Sequence, residues 1–82
     1  MTEQEIFDKV AECISRTFRI PTTDVSSQLT AEDVDGWDSL AHGMLMIRVE
    51  KACNVRLPSD IVGSLQNVGN IVREIQKAKG SA

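Results

Sequence analysis

Apolar side chains recur at intervals of three and four positions along the first eighteen residues. At this spacing they lie on one face of an α-helix, opposite a polar face. Thr2 and Glu5 have the capping-box arrangement that starts a helix, and Pro21 disfavours helical backbone at Ile20. We therefore predict a helix over about residues 3–18. Its apolar face comprises Ile6, Phe7, Val10, Cys13, Ile14 and Phe18.

No sustained period follows between residues 19 and 38, which predicts a loop. Connections in compact domains usually run about four to six residues, and longer ones tend to be functional or held by their own apolar side chains. We expect this loop to be functional and also to be held by its own apolar side chains. Its scattered apolar residues are Ile20, Val25, Leu29 and Val34.

The second predicted helix, over about residues 39–53, has two apolar faces. Asp38 is suited to cap its start and Asn54 to end it. The face that predicts core contacts consists of Leu45, Val49, Ala52 and Cys53. A second face, rotated away from the first, consists of Leu40, Met44 and Ile47. Since a bundle helix needs only one apolar face, the second either packs beneath the long loop or is partly exposed and available to a partner.

Two further helices are predicted after the second. Ser59 is suited to cap a short helix over about residues 59–63, and Asn67 to cap a last helix over about residues 67–78. We expect Gly80, Ser81 and Ala82 to fray. The apolar face of the last helix comprises Val68, Ile71, Val72 and Ile75. The predicted fold is all-α, a small bundle of three main helices plus one short helix, in a single domain over residues 1–82.

Composition agrees with one folded domain. The chain has 82 residues, of which 41% are hydrophobic and 26% are charged, as is usual for a soluble globular protein. Its apolar runs are too short to span a bilayer, and no signal-peptide pattern begins it. We expect a monomeric cytoplasmic protein. Cys13 and Cys53 fall within apolar helical patterns, which favours buried thiols over a disulfide.

Charge is unevenly distributed along the chain. Residues 20–47 contain five acids and no Lys or Arg, so this stretch carries −5. Because the whole chain carries −3, the rest of it sums to +2. Nucleic-acid binding is therefore not expected. A basic partner surface fits better, although loop acids are also stable when simply solvated. The acids are Asp24, Glu32, Asp33, Asp35 and Asp38.

Ser39 is the main candidate for chemistry because it lies where the loop becomes the second helix. Free backbone amides and the positive end of the helix dipole stabilise a phosphate at such a position. A surface position also leaves the hydroxyl accessible to a modifying enzyme. The physics alone equally allows a serine that only helps to cap the helix.

The run Asp38-Ser39-Leu40, at the start of a central helix after a long acidic loop, resembles the acyl carrier protein family. The likeness covers residues 2–79 and includes Leu57-Pro58 after the second helix. It implies that Ser39 receives phosphopantetheine from coenzyme A through a phosphopantetheinyl transferase. It also implies that acyl groups travel as thioesters on this arm between acyl-loading and acyl-transferring enzymes. The chain would then be a carrier and not an enzyme.

Several residues depart from the pattern of that family, in which acids on the second helix typically meet basic patches on partner enzymes. Ala41, Met44 and Lys51 stand where many fatty-acid-synthesis carriers have acids. Trp37 replaces a smaller residue before Asp-Ser, and Cys53 stands where a bulky aromatic is common. These departures favour a specialised carrier over the housekeeping one. The predicted partner-recognition residues are Asp35, Asp38, Leu40, Met44, Ile47 and Glu50.

Hydrolase and calcium sites have little support in the sequence. His42 lies three residues after Ser39 with no evident carboxylate to orient it, and Gly36 and Gly43 do not give the spacing of a nucleophile elbow. If Gly36 held the sixth position of a calcium loop, Ala31 and His42 would hold the first and twelfth, where oxygen ligands are required. We expect no bound metal, and we expect His42 to lie partly buried at the edge of the core.

Some alternatives stay open. The chain could be an unmodified helical interaction module, in which Ser39 only caps a helix and the second apolar face docks a partner. Within the carrier class it could carry aminoacyl or peptidyl groups, and the sequence does not choose between fatty acid, polyketide and other specialised pathways. A further hypothesis is that the small residues Gly43 and Ala52 leave room for an acyl chain inside the bundle.

Overall fold

Four helices form the protein in a computed structural model that describes residues 2–64 and 67–80. Helix α1 spans Glu3–Phe18, α2 spans Ser39–Cys53, α3 spans Ser59–Ser64 and α4 spans Val68–Gly80. The all-α bundle with one short helix is confirmed. In the described part of the chain, no helix has the length and apolar character needed to cross a membrane.

The predicted capping box starts α1. Glu5 N donates to Thr2 Oγ1 over 3.1 Å, and Thr2 N donates to Glu5 Oε1 over 2.9 Å. This reciprocal pair satisfies two backbone amides that have no partner within the helix. At the other end, Arg19 adopts left-handed backbone angles (φ 59°, ψ 46°) that stop the helix.

Helix α1 is central because it packs against both α2 and α4. Its buried residues are Ile6, Val10, Ala11 and Ile14, while Phe7, Cys13 and Phe18 lie partly buried at the edge of the core. The apolar face of α4 is buried as predicted, with Val68, Ile71, Val72 and Ile75 all inside the bundle. Burying these faces is what makes helices of this length stable, since isolated short helices are marginal in water.

The buried face of α2 differs in part from the prediction. Leu45, Val49 and Cys53 are fully buried, but Ala52 is exposed and Met46 is buried in its place. At 100° per residue, Met46 lies at one edge of the buried sector and Ala52 lies beyond the opposite edge. The sector that enters the core is therefore displaced toward Met46. Both cysteines are free thiols. Only Cys53 is fully buried, and Cys13 is partly buried.

Helix α4 continues to Gly80, two residues beyond the predicted end. Lys79 Nζ donates to the Cys53 carbonyl oxygen over 2.8 Å, which ties the last turn of α4 to the end of α2. The cation also satisfies a carbonyl at a helix C-terminus, where positive charge is favourable. Gly80 was therefore wrongly expected to fray, while residues 81 and 82 lie outside the described residues.

The long loop contains two short 3₁₀ turns, Thr22–Asp24 and Ala31–Asp33, and is bonded to the start of α4. Val68 N donates to the Leu29 carbonyl oxygen over 3.0 Å, and Gly69 N donates to the Ser27 carbonyl oxygen over 2.8 Å. A Cβ on Gly69 would lie 3.0 Å from that Ser27 oxygen, a tighter contact than most Cβ atoms make, so glycine favours this close approach.

Candidate functional site

The turn into α2 is built from three consecutive residues with different roles. Gly36 has φ +87°, a backbone conformation that favours glycine. Trp37 is buried, and Asp38 is the N-cap. Asp38 Oδ1 accepts from Ala41 N over 2.9 Å, and the Asp38 carbonyl accepts from His42 N over 2.8 Å. The predicted cap is therefore confirmed, and it fixes where α2 begins.

Ser39 is the first residue of α2 and is exposed. Within residues 2–64 and 67–80, its hydroxyl makes no hydrogen bond, and the amides of Ser39 and Leu40 have no acceptor. Asp38 supplies the cap, so the Ser39 hydroxyl is not needed for capping. The arrangement leaves a free hydroxyl beside two free amides at the positive end of a helix, which suits an added phosphodiester.

The loop before Ser39 is held by its own apolar residues, as predicted. Val25, Val34 and Trp37 are buried, and Ile20 and Leu29 pack partly buried against the core. The Trp37 ring stacks on Phe18 of α1, with centroids 5.1 Å apart. An offset stack of this kind is worth about 0.5–1.5 kcal/mol beyond its buried area. The Ser39 end of the loop is thus fixed to α1.

Trp37 also joins the loop to α2 and α3 through His42. Trp37 Nε1 donates to His42 Nδ1 over 3.0 Å, and His42 Nε2 lies 3.0 Å from the Val62 carbonyl oxygen. Because the indole only donates and the carbonyl only accepts, this arrangement assigns the proton of the neutral imidazole to Nε2. His42 is partly buried, as predicted, and both of its ring nitrogens have partners other than Ser39.

We expect Trp37→Phe to destabilise the protein while preserving the stack on Phe18. The substitution removes the indole N–H and leaves His42 Nδ1 without its donor in a partly buried position. The free energy of unfolding should fall by about 1–3 kcal/mol. Urea denaturation followed by circular dichroism measures it, and an unchanged midpoint would contradict a role for the Trp37–His42 bond.

A cleft of about 450 Å³ opens beside Ser39. Gly43 lines it, but Ala52 does not and instead lies in a separate groove between α1 and α2. The hypothesis that both small residues open one space for an acyl chain therefore fails for Ala52. The cleft is lined mainly by Ala31, Trp37, Ser39, His42, Gly43 and Val62.

The second apolar face of α2 is exposed and does not pack beneath the loop. Leu40, Met44 and Ile47 are 77%, 50% and 62% exposed. Their spacing of four and three places them along one line from Ser39. We call these three residues the apolar stripe. Large exposed hydrophobic side chains in a row are typical of an interaction surface.

The predicted partner-recognition acids differ in how they are used within the fold. Asp35 is exposed, and Asp38 caps α2. Glu50 is partly buried, and its Oε2 accepts from Leu57 N over 2.6 Å. This bond holds the segment after α2, a role that the sequence prediction missed. Its only sequence signal is an acid seven positions before a residue that precedes proline.

Burial raises the pKa of both thiols. For Cys13 the loss of solvent is the largest cause and the nearby Cys53 thiol adds to it, whereas for Cys53 nearby Lys9 and Lys79 act against the loss of solvent. Because their pKa values are raised, both groups are neutral thiols at neutral pH. Neither has the depressed pKa of an activated cysteine nucleophile.

Acyl carrier proteins are similar to this chain over nearly its whole length. The acyl carrier protein of Acidothermus cellulolyticus is 34% identical over 82 residues, covering 100% of this chain and 98% of its own. That of Kineococcus radiotolerans is 32% identical over 79 residues, covering 96% and 98%. The meromycolate extension acyl carrier protein of Mycobacterium leprae is 27% identical over 77 residues, covering 94% and 67%. No protein-family model matches the chain.

Proposed function

The chain belongs to the acyl carrier protein family, and we propose that its acyl groups are carried on a phosphopantetheine arm attached to Ser39. The observation that carries this proposal is the free, exposed Ser39 hydroxyl at the first residue of α2. When bound, phosphopantetheine supplies a thiol that holds an acyl group as a thioester.

The residues around Ser39 fit the attachment reaction. A bond forms between Ser39 Oγ and phosphorus while the pyrophosphate linkage of coenzyme A breaks. Adenosine bisphosphate leaves, and a base of the transferase takes the hydroxyl proton. The exposed amides of Ser39 and Leu40 stabilise the phosphodiester that results. The Asp38 cap and the Trp37–His42 bond keep the start of α2 in place.

The chain itself is proposed to be non-catalytic. Both ring nitrogens of His42 are hydrogen-bonded to Trp37 and Val62, so His42 does not act as a general base for the Ser39 hydroxyl. Its proposed partners are a phosphopantetheinyl transferase and the enzymes that load and transfer acyl groups. A single domain over residues 1–82, a monomeric state and a cytoplasmic location stay predictions.

Intact-mass measurement tests the proposal. The purified chain is incubated with coenzyme A and a phosphopantetheinyl transferase of broad specificity, then weighed. A single gain of one phosphopantetheinyl group is expected. No gain with several transferases, each active on a control carrier, would instead favour an unmodified interaction module.

We further propose that this carrier is a specialised one, with partners that bind the apolar stripe and the loop acids. The exposed surface of α2 carries Leu40, Met44 and Ile47 together with the bases Arg48 and Lys51. Its only acid after the cap is Glu50, whose carboxylate already binds Leu57 N. A partner whose basic surface binds only acids along α2 would therefore make few contacts with this helix.

Met44→Glu should therefore lower acyl transfer by the chain's own partner enzyme, by about tenfold or more if one desolvated apolar contact is lost. The measurement is the rate of transfer from the loaded carrier at limiting concentration. Gln76→Glu, which adds the same charge on exposed α4, is the control. Unchanged or faster transfer with Met44→Glu would count against the stripe as a contact.

A further inference from the structure

A groove between α1 and α2 gathers four of the nine basic residues of the chain. It has a volume of about 460 Å³ and includes one acid, Glu12. Its local charge is therefore +3, in contrast to the −5 of residues 20–47. The basic residues are Lys9, Arg16, Arg48 and Lys51.

Three of these cations have no carboxylate partner among the described residues. The only ion pair in the groove joins Arg16 Nη2 to Glu12 Oε1 at 2.8 Å. Arg48 Nη1 donates to Thr17 Oγ1 over 3.1 Å, which holds its guanidinium across from α2 to α1 without neutralising it. Lys9 and Lys51 form no ion pair within residues 2–64 and 67–80.

The rest of the groove lining is uncharged. Ala52 lies exposed in it, and Cys13, whose thiol is neutral, lies partly buried. The groove also continues into the apolar stripe, because Arg48 follows Met44 by four positions and Lys51 follows Ile47 by four. The surface thus combines apolar contact area with cations at its rim.

We propose that this groove docks an acidic amphipathic helix of a partner protein. Carboxylates on one side of such a helix would pair with Arg48, Lys51 and Lys9, and its apolar residues would contact Cys13, Ala52 and the stripe. Charge complementarity of this kind sets orientation as well as attraction. A partner would present acids to the groove and bases to the loop before Ser39. This inference does not depend on modification of Ser39.

A second copy of the chain is a weaker occupant. Two of its five loop acids already have partners, since Asp33 accepts from Thr30 and Asp38 accepts from Ala41. A loop-to-groove contact would also join unlike surfaces, which forms open chains of copies unless the rotation closes.

Peptide titration on the unmodified chain tests the inference. The probe is a synthetic helix with glutamates on one face and leucines on the other, and its control carries lysines instead of glutamates. Added to the ¹⁵N-labelled chain at low salt, the glutamate peptide should shift the amide signals of α1 and α2 at the groove. Binding should weaken at high salt, because the Debye length falls from about 10 Å at 0.1 M to about 3 Å at 1 M.

The double variant Arg48→Glu/Lys51→Glu should weaken binding of the glutamate peptide at least tenfold. Arg73→Glu/Lys77→Glu reverses two charges on α4 and should change it less than twofold. If the groove variant loses its dispersed spectrum, Arg48→Gln/Lys51→Gln replaces it, with at least a fivefold effect expected. Four outcomes would each overturn the inference. In the first three, the lysine peptide binds the groove as tightly as the glutamate peptide, the glutamate peptide shifts only amides on other surfaces, or it does not bind at low salt. The fourth is concentration-dependent self-association of the chain through the groove. The proposed function would be unaffected, since the mass assay measures it separately.

Discussion

Ser39→Ala should gain no phosphopantetheinyl mass under conditions that convert the wild-type chain completely. The hydroxyl oxygen that would bond to phosphorus is absent from alanine, so the effect should be total and not a matter of degree. Intact-mass spectrometry after incubation with coenzyme A and transferase measures it. A mass gain that persists in this variant would place the attachment elsewhere.

Ser59→Ala is the matched control. Ser59 is also an exposed serine at the first residue of a helix, and it lines the same cleft as Ser39. Its replacement should leave modification complete. If Ser59→Ala also prevented the mass gain, the assay would be reporting damage to the cleft and not loss of the acceptor hydroxyl.

Ser39→Ala should also remain folded, which keeps its result interpretable. The Ser39 hydroxyl has no partner within the described ranges, and the cap at this helix start comes from Asp38. We expect a change in unfolding free energy within about 0.5 kcal/mol, as for other exposed positions. Asp38→Ala, by contrast, should cost about 1 kcal/mol because it removes the cap from the Ala41 amide.

The helices could be predicted from the sequence because their signals are local. The Thr2–Glu5 pair starts α1, and Asp38 and Asn54 mark the two ends of α2. Each of these residues acts on backbone groups within one helical turn of itself. The apolar period then identifies the faces that enter the core. The position of Ser39 at the start of α2 could be predicted for the same reason, since it depends on the immediate neighbours of Ser39.

The missed features depend on contacts that reach beyond one helical turn or between elements. The end of α4 is set by Lys79 reaching Cys53, and the segment after α2 is held by Glu50 reaching Leu57. Ala52 was assigned to the core because helical period alone cannot say how wide the buried sector of α2 is.

Trp37 was noted in the sequence as a departure from the family pattern, but its bond to His42 could not be predicted. Those residues lie only five positions apart, yet the bond depends on how the loop enters α2 and on α3 supplying the Val62 carbonyl. The three-way contact among loop, α2 and α3 beside Ser39 therefore required the tertiary structure.

Replacing leucine by alanine should have different effects on the two faces of α2. Leu45 is fully buried, whereas Leu40 is 77% exposed. Leu45→Ala removes buried methyl groups and leaves a cavity, so it should lower the free energy of unfolding by about 2–5 kcal/mol. That is a large share of the roughly 5–15 kcal/mol that stabilises a typical domain. Urea denaturation followed by circular dichroism measures it.

Leu40→Ala should change the unfolding free energy by less than about 0.5 kcal/mol, because its side chain is already in water. It should instead slow acyl transfer to the partner enzyme, since Leu40 begins the apolar stripe beside Ser39. Leu45→Ala, assayed at a temperature where it is still folded, should transfer at nearly the wild-type rate. Equal destabilisation by both variants would contradict the assignment of the two faces. Loss of stability from one and loss of transfer from the other would separate the face of α2 that holds the bundle together from the face that partners contact.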